Sequence, residues 1–112
     1  MPGPLSVTSA MRGDIRVLTV SGEIDRDTGG TLREALDAST TTHPRVVADF
    51  QRVSFMDSSG ISILLTAHRA LTAAGGWLRL AAPSEFIWRT VRIVGLDTVV
   101  DCFPTLGEAL DR

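Results

Sequence analysis

The sequence contains one cysteine and no apolar run long enough to cross a bilayer. Cys102 cannot form an internal disulfide on its own, which fits a reducing cytoplasm. A membrane-spanning helix needs roughly 18 consecutive apolar residues. The opening segment MPGPLSVTSAMRGD also lacks the charged-then-apolar order of a signal peptide. These absences predict a cytoplasmic protein without membrane insertion.

The sequence also lacks an excess of basic residues. Eleven basic and 13 acidic residues give a net charge of -2, so no overall basic surface for direct nucleic-acid binding is expected. Of the 112 residues, 44% are hydrophobic and 21% are charged, as in ordinary globular domains. We expect a single domain spanning residues 1–112.

Patterns for catalysis and for cofactors are missing as well. A serine nucleophile needs a base within hydrogen-bond reach, and the only histidines are His43 and His68. His68 falls in the apolar stripe of a predicted helix, and His43 lies at the opposite end of the predicted sheet. No paired metal-ligand spacing and no glycine-rich phosphate loop occur. A magnesium ion held by Asp25 and Asp57 is conceivable but has no further support. We therefore expect no enzyme activity, no cofactor and no metal.

What is present is an alternation of strand and helix patterns. Arg12-Gly13-Asp14 is a turn signal between two alternating segments. The apolar run RVVADF favours a strand that is buried on both faces, and helical spacing is clearest after Ser58. The predicted strands are 5–11, 15–22, 45–50, 77–81 and 98–103, and the predicted helices are 28–39, 58–74, 83–96 and 105–112. The order ββαβαβαβα predicts an α/β fold with a mixed, largely parallel sheet covered by helices, in which the first hairpin forms an antiparallel edge.

Two polar loops, GEIDRDT and SFMDSSG, follow the second and third predicted strands. Ligand and partner sites tend to lie at the carboxyl ends of parallel strands, where these loops would meet. We therefore expect a group of acids close to two serines: Glu23, Asp25, Asp27 and Asp57 near Ser58 and Ser59.

The DSSG motif has two interpretations. Asp57 can cap the following helix by accepting a hydrogen bond from the amide of Ser59 or Gly60, worth about 1 kcal/mol. Alternatively, Gly60, which disfavours a helix, leaves the serine hydroxyls open to a partner. A second apolar stripe on this helix is formed by Ile63, Ala67, Ala70 and Ala74. Either a neighbouring helix covers that stripe or it contacts another protein.

Three segments carry a family resemblance over nearly the whole chain: GEID, DFQRVSFMDSSGISIL and GLDTVVDCFPTLGEAL. In these segments the sequence resembles the anti-sigma factor antagonists, single-domain members of the sulfate-transporter and anti-sigma-antagonist (STAS) family. The resemblance implies a protein that binds an anti-sigma factor serine kinase of the histidine-kinase-like ATPase type and so frees a sigma factor. It further implies that the kinase phosphorylates the antagonist, which then dissociates, and that a metal-dependent serine phosphatase reverses the modification.

The resemblance also implies roles for individual residues. Ser58 matches the phosphorylated serine, and its supporting residues are Asp25, Asp57, Ser59 and Gly60. The candidates for contact with the kinase are Glu23, Met56, Ile61, Ile63 and Ala67. A phosphate among these acids would be poorly neutralised by the chain itself, because Arg26 and Arg52 are the only obvious local cations. Phosphorylation would therefore release a partner rather than reshape the domain.

Two other function classes compete with this hypothesis. The chain could be a constitutive cytoplasmic STAS subunit of a membrane transport or stress-signalling complex, with DSSG serving only as a helix cap. A serine-nucleophile enzyme is a distant third possibility. Gly29, Gly30 and Trp88 are not features associated with the family, and they bear on the identity of the partner more than on the mechanism.

Overall fold

The computed structural model of the protein describes residues 5–38 and 42–111. A short 3-10 turn spans Leu96–Thr98. The strands are β1 (Ser6–Arg12), β2 (Ile15–Ile24), β3 (Arg45–Met56), β4 (Trp77–Ala81) and β5 (Asp101–Phe103). The helices are α1 (Gly29–Ala35), α2 (Ser58–Ala73), α3 (Glu85–Ile93) and α4 (Leu106–Leu110). No helix in the described ranges is long and apolar enough to cross a membrane.

The five strands form one sheet in the order β1-β2-β3-β4-β5. β1 pairs with β2 in the antiparallel sense, and the three remaining neighbours pair in parallel. Arg12 pairs with Ile15 across a two-residue turn in which Gly13 has a φ of 64°, a conformation that glycine adopts without strain. The predicted α/β fold, its element order and its antiparallel edge are confirmed.

The main core lies between one face of the sheet and the helices α1, α2 and α3. Leu18 and Phe50 from the sheet and Leu64 and Leu71 from α2 are fully buried there. A smaller cluster on the opposite face contains Val47 and Ala109, the latter from α4. Because successive strand residues point to opposite faces, covering both faces explains why residues 46–50 of β3 are all buried.

β3 is longer than predicted. It continues to Met56, whereas the sequence pattern placed its end at Phe50 and treated the segment beginning at Ser54 as a loop. The extra length pairs with the end of β2, where two register shifts accommodate the bulged strand. The polar residues Gln51 and Arg52 concealed this extension, because a bulged strand does not keep a regular alternation of burial.

Smaller boundary differences occur after β4. The helix α3 begins at Glu85 behind the cap residue Ser84, so the prediction of Pro83 as the first helical residue is wrong. Gly95 ends this segment in the left-handed conformation, with a φ of 78°, and Leu96 is buried behind it as the glycine-capped pattern predicted. β5 has three residues rather than six. α1 ends at Ala35, and residue 39, the predicted end of that helix, lies outside the described residues.

Candidate functional site

The loops after β2 and β3 meet at the carboxyl edge of the sheet. Glu23 pairs with Phe55 and Ile24 pairs with Met56 in the parallel register. The backbone amide of Asp57 donates to the carbonyl oxygen of Ile24 at 3.1 Å. The acidic segment that follows β2 is therefore adjacent to the serine-bearing start of α2, as the order of elements predicted.

Asp57 is the N-cap of α2. Its backbone is extended, with φ -99° and ψ -169°, and its Oδ1 accepts a hydrogen bond from the backbone amide of Ser59 at 2.8 Å. The Asp57 carbonyl oxygen accepts from the amide of Gly60 at 3.1 Å. The cap predicted from the sequence is confirmed, and it uses the Asp57 carboxylate rather than a serine hydroxyl. Ser58, the first helical residue, is exposed.

Asp25 organises the neighbouring loop. Its Oδ1 accepts hydrogen bonds from the backbone amides of Asp27 at 2.9 Å and Thr28 at 3.0 Å. The Thr28 hydroxyl donates to the carbonyl oxygen of Glu23 at 2.8 Å. These bonds hold the loop closed against the end of β2, as aspartate side chains do in Asx turns. Asp25 therefore positions the acidic loop beside the start of α2.

Gly60 packs against the end of the sheet. It is buried, and a Cβ at this position would come within 2.7 Å of Met56 Sδ and 3.0 Å of Ile24 Cγ2. These contacts are tighter than packed side chains tolerate, so only glycine lets the first turn of α2 rest directly on the end of the sheet. Gly60 is therefore required for packing, a role that the sequence pattern did not predict.

Three of the five partner-binding candidates are core residues. Met56, Ile63 and Ala67 are 3%, 6% and 7% exposed. α1 packs against Ile63 of the second apolar stripe of α2, and Gly29 permits this because a Cβ there would lie 2.7 Å from the Ile63 Cδ1. In that stripe Ile63 and Ala67 are buried, whereas Ala70 and Ala74 are exposed. The sequence pattern placed these three side chains on a surface that faces a partner. In the structure they are enclosed by packing within the domain instead.

The other two candidates, Glu23 and Ile61, are half-buried at the carboxyl edge and retain accessible surface. Ser58 and Arg26, on the same two loops, are exposed and are grouped with them. This group of four residues is called the Ser58 surface below.

An open groove between α1 and α2 adjoins the Ser58 surface. It has a volume of about 610 Å³. Ser59, Ser62 and Thr66 line it from α2, and Arg33 and Glu34 line it from α1. The sequence reasoning missed this groove. The available signal was the helical spacing of three hydroxyl residues at positions 59, 62 and 66, on the side of α2 that faces α1.

The remaining nucleophilic and basic groups lie elsewhere. His68 is half-buried, and its Nδ1 is enclosed without a hydrogen-bond partner, which agrees with the packing role predicted for it.

Burial, followed by the charges of Asp97 and Asp101, raises the pKa of the Cys102 thiol to about 12. The thiol is therefore protonated and unreactive near neutral pH. Within the described ranges, no three side chains of His, Cys, Asp or Glu gather as ligands for a metal ion.

Comparison with known proteins gives one family. The model of the STAS domain family matches residues 6–109. The chain is 30% identical over 110 residues to the anti-sigma-F factor antagonist RsfB of Mycobacterium tuberculosis, covering 97% of this chain and 89% of that protein.

Two solved structures extend the comparison to the fold. The crystal structure of an anti-sigma factor antagonist from Mycobacterium paratuberculosis superposes with a TM-score of 0.87 at 29% identity, covering 98% of this chain and 96% of that one. The phosphorylated form of the Bacillus cell fate determinant SpoIIAA superposes with a TM-score of 0.73 at 27% identity, covering 96% and 98%.

Proposed function

The chain belongs to the STAS domain family, and from that premise we propose that it is an anti-sigma factor antagonist controlled by phosphorylation of Ser58. In its unmodified form it binds an anti-sigma factor that is itself a serine kinase of the histidine-kinase-like ATPase type, and a sigma factor is freed. Phosphorylation of Ser58 by that kinase ends the interaction. A metal-dependent serine phosphatase restores the binding form.

The observation that carries this proposal is that the helix cap of α2 and the exposed hydroxyl beside it belong to different residues. Asp57 supplies the cap through its contact with the Ser59 amide, and Ser58 stands exposed beside it. A motif that served only as a cap would require one short polar residue. The exposed hydroxyl of Ser58 is therefore available to a kinase without loss of the hydrogen bond that starts the helix.

The charges around Ser58 favour release of a partner. A phosphate carries about -1.5 to -2 charges at neutral pH, and the N-terminus of a helix stabilises such a group by up to about 1 kcal/mol. The fold would therefore tolerate the modification. The neighbouring acids Asp25 and Asp57 oppose its burial against another protein, because an added charge must be desolvated there. The free protein keeps its structure while the interface loses affinity.

The comparisons support the same proposal. RsfB of Mycobacterium tuberculosis is named as an anti-sigma-F factor antagonist and matches almost the whole chain. SpoIIAA has been solved in a phosphorylated form, and that structure shares the fold of this chain. A protein of this fold therefore remains folded when it is phosphorylated.

The test begins with affinity capture from lysate of the source cells in the presence of ADP, with wild type, Ser58→Ala and Ser58→Asp as baits. We expect a histidine-kinase-like ATPase to be retained by wild type and Ser58→Ala, and to be lost by Ser58→Asp. The purified ATPase is then incubated with each protein, ATP and magnesium, and the modified residue is mapped by mass spectrometry. Phosphate should appear on Ser58 only.

Ser59→Ala is the matched control, because it changes the adjacent hydroxyl and leaves both Ser58 and the Asp57 cap in place. It should be phosphorylated and should bind as wild type does. Equal capture of the kinase by wild type and Ser58→Asp would contradict the switch. Capture of a permease or transport ATPase by all the baits would instead favour a constitutive subunit.

A further inference from the structure

Within the described residues, no other strand pairs with the outer edge of β1. β1 is the terminal strand of the sheet, and its seven residues pair with β2 in an unbroken register from Ser6 opposite Ser21 to Arg12 opposite Ile15. Five of the six residues before Arg12 are exposed, and none of the six is charged, a proline or a glycine. Proteins usually protect such edges with charges, prolines, bulges or very short strands. β1 uses none of these devices before its last residue.

The opposite edge of the same sheet is protected. β5 has only three residues, it begins with Asp101, and Pro104 follows it directly. A strand of three residues followed directly by a proline offers little backbone for pairing with another chain. Of the two edge strands in the part of the chain that the structure describes, β1 therefore offers the longer backbone for pairing with another chain.

We propose that β1 pairs with β1 of a second copy of this chain, antiparallel and centred on Ser9, so that two five-stranded sheets form one continuous sheet. Ser9 is the midpoint of Ser6–Arg12. Centring on it pairs all seven residues, and every other register pairs fewer. Ser9 would then lie opposite Ser9 of the partner subunit.

The side chains of β1 suit this self-pairing. Val7 and Met11 lie on the same face as Ser9 because strand residues alternate, and Val7 packs against the main core. In the centred register Met11, which is 44% exposed, meets Val7 of the partner subunit. This apolar pair occurs twice by symmetry. No charge lies between Ser6 and Met11, so two copies do not repel each other along the edge.

The expected dimer is weak and independent of the switch. One pair of seven-residue strands buries less than the roughly 1,200 Å² of specific stable interfaces, so association should be reversible and depend on concentration. The two-fold axis of an antiparallel edge pair is perpendicular to the sheet. The two Ser58 surfaces therefore point in opposite directions, and the proposal does not depend on the anti-sigma partner.

The experiment is sedimentation velocity of the full chain, from micromolar to near-millimolar concentration, with wild type, Ser9→Lys, Ser9→Asp and an equimolar mixture of the two variants. Ser9 is exposed, so either substitution leaves the monomer folded, which circular dichroism checks. Wild type should shift towards the dimer as its concentration rises. Each variant alone should remain monomeric, because like charges face each other across the axis. The mixture should recover the dimer through opposite charges.

Thr72→Lys, an exposed change near the end of α2, adds the same charge away from β1 and should dimerise as wild type does. Ser58→Asp should also dimerise normally, which separates this proposal from the proposed function. The proposal is overturned if wild type stays monomeric throughout. It is overturned equally if Ser9→Lys retains the dimer, or if mixing the charged variants restores nothing.

Discussion

Gly60 shows how one residue position determines the approach of α2 to the sheet. A Cβ there would press on Met56 and Ile24, whereas a Cβ at Gly30, in α1, would meet nothing within 4 Å. The two glycines are alike in sequence terms, since each weakens a helix near its start. They differ in what lies beside them. The space around the residue, rather than its propensity, decides what each position tolerates.

We predict that Gly60→Ala destabilises the fold by about 1–3 kcal/mol, because the added methyl group overpacks the contact with Met56. Gly30→Ala is the matched control, and it should stabilise the fold by up to about 1 kcal/mol through reduced backbone entropy in the unfolded chain. Urea denaturation of both variants measures these changes. Equal effects of the two substitutions would argue against close packing at Gly60.

At the scale of the element, the start of α2 is held by one carboxylate and one sheet contact. The Asp57 carboxylate accepts from Ser59, and the Asp57 amide donates to Ile24 on β2. α3 begins in a similar way, with the Ser84 hydroxyl accepting from the Ile87 amide at 3.2 Å. The two caps provide the same local stabilisation, but only the cap of α2 lies beside an exposed second hydroxyl.

We predict that Asp57→Ala lowers the free energy of unfolding by about 1 kcal/mol, as does Ser84→Ala at α3. Ser58→Ala should change it by less than about 0.5 kcal/mol, because Ser58 is exposed and does not supply the cap. Thermal or urea unfolding of the three variants makes the comparison. If Ser58→Ala cost as much as Asp57→Ala, Ser58 would be a structural residue of the helix start.

At the scale of the whole molecule, the two faces of the sheet are covered unequally. Three helices bury the main core on one face, while α4 lies on the other. Arg79 joins α4 to the sheet, since its Nη1 donates to the carbonyl oxygen of Ala109 at 2.9 Å. Its guanidinium also stacks 3.8 Å from the ring centroid of Trp77. A five-residue helix is marginal alone, so these contacts keep it in place.

We predict that Arg79→Lys loosens α4, because an ammonium group neither stacks as a planar guanidinium does nor keeps the same hydrogen-bond geometry. Amide hydrogen exchange at Ala109 and Leu110 should speed up by several-fold, which corresponds to about 1 kcal/mol of local stability. Arg89→Lys, an exposed change on α3, is the control and should leave this exchange unaltered. Unchanged protection of α4 in Arg79→Lys would show that apolar packing alone holds the helix.

Local patterns predicted most of the fold. The apolar spacing after Ser58 gave α2 almost to its last residue, and the Trp77–Ala81 strand was predicted with its observed bounds. The end of β3 was wrong by six residues, because pairing with the bulged end of β2 extends it through polar positions. The local sequence pattern does not show which strand a segment pairs with, so it does not predict an extension that depends on pairing.

The sequence by itself determined the alternation of strands and helices, the Asp57 cap and the meeting of the two acidic loops at one edge. These follow from periodicity, capping chemistry and the geometry of parallel strands, all of which act over a few residues or through chain order. Only the tertiary structure decided that Met56, Ile63 and Ala67 are enclosed and that Gly60 is a packing glycine. It also decided that the two edge strands of the sheet are the seven-residue β1 and the three-residue β5. Burial and edge exposure depend on which distant segments come together, and no short stretch of sequence specifies that.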